Sequence, residues 1–93
     1  MSFVLLLLAG ALLCNAIPHL AKGLSGEPFP TPFATPRGIG NSSPLVNVLW
    51  GCFNLAIAVL ILRTHPGAFW WPALTFLISG IFLALHFGKV RKP

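Results

Sequence analysis

The side chains able to do chemistry in this chain are few, and they sit in unusual places. His19 and His86 fall near the ends of long apolar stretches, and Asn15, Asn47, Asn54, Thr75 and Ser79 fall inside such stretches. Two histidines on different segments at one depth form a pattern that supplies axial nitrogens to a haem or a pigment metal. With no spacing rule between them, the motif is an unspecific one. Catalysis has little material. The chain has no Asp, and Glu27 is its only acid, so a carboxylate pair is impossible. No HExxH, GxSxG or phosphate-cradling glycine loop occurs. Cys14 and Cys52 stand in apolar surroundings without CxxC or Cys/His metal spacing. Buried, inert thiols are expected, with a bridge between them as the alternative because both fall at similar depth. The residues point to a protein that is not an enzyme and has no metal site.

The elements that must position these groups are legible. Met1–Ala21, Gly38–Leu62 and Thr64–Gly88 carry no Asp, Glu, Lys or Arg. Every charged residue (Lys22, Glu27, Arg37, Arg63, Lys89, Arg91 and Lys92) lies between or beyond them. A span needs about 20 apolar residues to cross roughly 30 Å of hydrocarbon, and each stretch supplies that length. Hydrophobic residues make up 56% of the chain and charged residues 8%, against about 25% charged in a soluble domain. Irregular backbone cannot face lipid, so the spans are expected to be helices. The expected fold is all-α and integral to the membrane. A single domain covers residues 1–93, with helices over about 2–20, 44–62 and 69–87. The amino terminus lacks the Lys or Arg of a signal peptide, which favours a retained first span.

At about 100° per residue the helical faces can be drawn. Asn47, Gly51, Asn54 and Ala58 form one small-and-polar stripe on the second span. Thr75, Ser79 and His86 form another on the third, joined by Phe82. Ala11, Asn15 and His19 form an i, i+4, i+8 line on the first. Threading three spans brings Asn15, His19, Asn47 and His86 toward one end, with Asn54 and Ser79 nearer the middle. Such stripes either pack helices or line a path.

Residues 23–43 form the long connection. Its Pro/Gly density predicts turns and extended pieces, and Phe29 and Phe33 among the prolines suit a loop docked on a bilayer or a partner. Asn41, Ser42 and Ser43 offer cap oxygens ahead of Pro44 at the start of the second helix. The short link Arg63–Gly67 predicts that the second and third spans are antiparallel neighbours. Trp70 and Trp71 stand where an interfacial aromatic belt belongs.

Five of the six Lys/Arg residues lie on the side of the long loop and the C-terminal tail. The positive-inside rule then predicts an N-terminus outside and a C-terminus in the cytoplasm. The same scatter of basic groups at the span borders argues against a nucleic-acid partner.

The stretch from Asn15 to His19, the loop sequence GEPFPTPFATP and the run from Ser42 to Asn54 resemble a group of small uncharacterised bacterial membrane proteins. The resemblance covers about half of the chain. It implies a bacterial inner membrane and carries no activity. The chain does not resemble the three-helix sugar-transporter halves, whose Pro-Gln pair is missing. Nor does it follow the antenna-polypeptide pattern, since Phe82 stands where an Ala precedes the ligand histidine.

The first functional reading is a non-catalytic accessory or scaffold subunit of a larger membrane complex. It needs no cofactor, and its partners are the lipid bilayer and other membrane subunits or copies of itself. The alternative is a homo-oligomeric channel or small-solute transporter. A third reading is a haem or pigment binder through His19 and His86.

Overall fold

The computed structural model describes residues 2–90. The basic tail residues Arg91 and Lys92 lie outside the described residues. The chain forms three long helices, α1 (Ser2–Leu24), α2 (Pro44–Thr64) and α3 (Trp70–Val90). Between α1 and α2 stand two short strands, β1 (Phe29–Pro30) and β2 (Asn41–Ser42). All three helices are long and apolar enough to cross a membrane.

The expected end of the first helix was one turn short. α1 runs through Lys22 and Gly23 and stops at a Schellman arrangement. The Glu27 N–H donates to the Lys22 carbonyl at 2.9 Å and the Gly26 N–H to the Gly23 carbonyl at 3.0 Å. Gly26 takes the left-handed conformation that such a cap requires, at φ +75°. Pro18 is accommodated inside α1. Gly23 continues the helix where α1 meets the start of α2: a Cβ there would lie 2.8 Å from the Pro44 carbonyl oxygen.

α2 begins as its sequence dictates. Ser43 is extended, its hydroxyl accepts the Val46 N–H at 3.2 Å, and Pro44 occupies the first turn. α2 and α3 extend past their expected ends to Thr64 and Val90. Thr64 donates its hydroxyl to the Leu60 carbonyl at 2.7 Å, which prolongs the last turn of α2.

The helix order corrects one expectation. α2 and α3 are not neighbours: α1 packs along both of them, and they barely touch each other. α2 runs antiparallel to α1 and α3 parallel to it, as the pairings Gly51 with Leu20 and Thr75 with Leu7 require. The short link crosses the N-terminal end of α1, with Gly67 over Leu6. The physical reason lies in the seams. α1 offers Ala9, Ala16, Gly10 and Gly23 at its contacts, and small residues let two helices approach one helix closely. The result is a three-helix layer centred on α1. Its apolar core is small: Ala9, Ala58 and Ile61, with Leu5, Leu12, Leu13 and Ile57 packed around them.

The connection between α1 and α2 is folded on itself. β1 and β2 pair antiparallel, Phe29 opposite Ser42 and Pro30 opposite Asn41. Thr31, fully buried, organises the bend: its carbonyl accepts the Ala34 and Gly38 N–H groups, and its hydroxyl accepts the Phe33 N–H and bonds Ser42 Oγ.

Candidate functional site

Asn47 is the hub of the polar interior. It is fully buried at the first turn of α2. Its Nδ2 lies 3.0 Å from the Phe29 carbonyl, 3.2 Å from the Ser42 carbonyl and 3.0 Å from the Ser43 carbonyl. Carbonyls only accept, so the amide nitrogen must face them and Oδ1 must face away. Oδ1 meets His19 Nδ1 at 2.7 Å. That contact is between an acceptor and a ring nitrogen, so Nδ1 carries the proton and donates. One asparagine therefore ties α1, β1, the end of β2 and the start of α2 together.

The His19 ring is 2% exposed and packs edge-on to Phe29 and to Phe87 of α3. Phe29 and Phe87 pack against each other, centroids 4.6 Å apart. His86 follows a different pattern. Its Nε2 lies 3.0 Å from the Gly38 carbonyl and must donate to it. Phe82 stacks on the His86 ring and Phe87 meets its edge. The two histidines thus stand at the same end of the layer, with Phe87 against both and with separate hydrogen-bond partners.

Deeper in the layer, Asn15 donates from Nδ2 to Asn54 Oδ1 at 3.3 Å, and Asn54 donates to the Trp50 carbonyl at 2.7 Å. Gly51 lies between these two polar contacts on α2; a Cβ there would stand 2.7 Å from Leu20 Cγ. Asn47, Gly51, Asn54 and Ala58 are all buried against α1. On the other seam, the Thr75 hydroxyl donates to the Leu7 carbonyl at 2.6 Å, and Gly10 lies so close to Pro72 that a Cβ would overlap its carbonyl oxygen. Ser79 is half-buried in a groove beside Asn15.

The two loop phenylalanines part company. Phe29 is 4% exposed and belongs to the interior, whereas Phe33 is 65% exposed and meets Trp50 edge-on at 5.0 Å. The Trp50 indole N–H beneath Phe33 is buried and without an acceptor among the described residues. Cys14 is buried, but Cys52 is exposed on the outer flank of α2, and both are free thiols. The two do not form a bridge in the structure, and the expectation that Cys52 is buried is corrected.

Sequence reasoning missed Thr31, Gly10 and Phe87. Gly10 and Phe87 had no polar stripe to draw attention to them. Thr31 lay in a segment whose prolines suggested stiffness without revealing the bend. Among the described residues there is no cluster of His, Cys, Asp or Glu able to hold a metal ion. Chemically, the arrangement ties buried donors to acceptors: His19, Asn47 and Asn54 are paired within the fold, and Lys22 forms an ion pair with Glu27 at 3.0 Å on the surface. Comparison of the chain with protein-family models, curated proteins and solved structures finds no match.

Proposed function

We propose that the chain is an integral membrane protein that serves as a non-catalytic accessory or scaffold subunit of a larger membrane complex. The observation that carries this reading is the inverted distribution of side chains. His19, Thr31, Asn47 and Asn54 are buried, while Leu, Ile, Val, Phe and Trp side chains cover the outside of all three helices. Soluble monomers rarely expose contiguous apolar surface on this scale. In hydrocarbon the same surface is at home, and the polar groups need partners inside. The scaffold role is supported by those partners: His19, Asn47, Asn54 and Thr75 are bound to neighbouring elements, which favours packing over a solute path.

A bacterial inner membrane is the proposed location, with the N-terminus outside and the C-terminus in the cytoplasm. Lys22, Arg37 and Lys89 belong to the end that carries the loop, and Arg63 to the other, which supports that orientation. The channel or transporter reading draws on one feature, the groove beside Asn15 and Ser79. The haem or pigment reading draws on His19, whose Nδ1–H is fixed by Asn47 in the manner of a metal-binding imidazole.

The test is purification in mild detergent from native membranes. The scaffold reading expects other membrane polypeptides to remain attached in fixed ratio. A chain that comes away free of any other polypeptide contradicts it, and a visible absorption band would favour the pigment reading instead.

A further inference from the structure

We infer that the groove between α1 and α3 is a docking surface for a second copy of this chain, through Asn15 and Ser79. The inference rests on the membrane reading above and names a partner for it.

The groove has a volume of about 360 Å3 and is lined by Ala11, Asn15, Ile78, Ser79, Phe82 and Leu83. It lies on the opposite face of the layer from Leu6 and Leu13, near the middle of both helices. Asn15 uses one amide N–H for Asn54. Its side-chain oxygen and the Ser79 hydroxyl have no hydrogen-bond partner among the described residues. In water this would cost little. In hydrocarbon no solvent is available to satisfy them, and an unpaired amide or hydroxyl is expensive. A partner from outside the chain would satisfy both groups at once.

An amide and a hydroxyl are each both donor and acceptor, so the pair is self-complementary. Two copies inserted in the same orientation bring the same residues to the same depth, and a two-fold axis along the groove pairs Asn15 and Ser79 with their counterparts reciprocally. A different polypeptide would need matching polar groups at that depth, whereas a second copy has them by construction. The rim suits the contact. Val4 and Leu8 continue the Asn15 face of α1 in the i, i+4 manner, and Ile78 and Phe82 flank Ser79, all exposed and apolar. They would exclude lipid from the polar centre.

The test is oxidative cross-linking of the full chain in intact membranes. The background is Cys14→Ala with Cys52→Ala, and single cysteines are introduced as Ser79→Cys, Phe82→Cys and, on the far flank of α2, Val59→Cys. Alkaline extraction of the membranes is run on each. Expected is a cross-linked dimer for Ser79→Cys and Phe82→Cys and none for Val59→Cys. In addition, Ser79→Ala should weaken dimerisation of a tagged chain roughly threefold, the factor for one average interhelical hydrogen bond in a membrane. Three results overturn the inference: equal cross-linking at Val59→Cys, no dimer at the groove positions in a chain that resists alkaline extraction, or cross-linking of Ser79→Cys to a different polypeptide. Release by alkali would instead defeat the membrane reading itself.

Discussion

At the scale of single residues, the buried amide of Asn47 matters most. Its Nδ2 serves three carbonyls and its Oδ1 serves His19. Asn47→Ala leaves the His19 N–H without its acceptor, at a cost of about 1–3 kcal/mol for a buried unsatisfied group. Asn47→Asp keeps the size but turns a second oxygen toward three carbonyl oxygens. It is expected to be worse than Asn47→Ala. Thermal unfolding in detergent, followed by helical signal, checks the ranking; a more stable Asp variant would mean that the amide is oriented the other way. Glycines supply a second contrast. The Cβ of Gly51→Ala meets the flexible Leu20 side chain, whereas that of Gly10→Ala meets the Pro72 backbone carbonyl. A side chain can rotate and a helix backbone cannot. Gly10→Ala is therefore expected to cost more, about 1–3 kcal/mol as for overpacking, measured by the same unfolding. Equal tolerance would show that the α1–α3 seam is looser than its spacing.

At the scale of elements, the loop acts as a strap clipped at both ends. Phe29 anchors it between His19 and Phe87, Asn47 holds its backbone, and His86 holds Gly38. Phe29→Ser is expected to release the strap with loss of about 1.5–3 kcal/mol, the value for a fully buried phenylalanine. Phe33→Ser should change little, since Phe33 is mostly exposed. Limited proteolysis of residues 25–43 distinguishes them, and equal protection of both variants would contradict the clip. The sequence displayed the prolines and aromatics of this strap, and regular spacing made Phe29 and Phe33 look equivalent. Their difference arises from tertiary packing: of the two, only Phe29 belongs to the buried β ladder, where His19 and Phe87 converge. The helix ends were misjudged for a local reason. The sequence expectation ends the first helix near residue 20, yet it is Gly26, at positive φ, that closes the cap.

At the scale of the whole molecule, three uncharged runs of span length made three helices legible from composition alone, and the described helices have that length and hydropathy. Their arrangement was not legible. A short link usually joins neighbours, but here the small residues of α1 draw both α2 and α3 to it, and the link passes over its end. The polar stripes could be drawn by helical spacing, while their pairing, Asn47 with His19 and Asn54 with Asn15, depends on which helix lies in the middle. Three helices held together mainly through α1 enclose little of their own apolar surface. On the membrane reading proposed above, lipid covers the rest.

That claim is tested most directly at Cys52. It is exposed on the outer flank of α2, about 12 Å along the helix from Pro44 at about 1.5 Å per residue. In a Cys14→Ala chain it is the sole thiol. A water-soluble maleimide is applied to intact membranes and, separately, to the chain denatured in detergent. If the exposed apolar surface faces hydrocarbon, Cys52 stays unlabelled in the membrane and reacts promptly once denatured. Labelling in intact membranes at the denatured rate would place that surface in water and contradict the account.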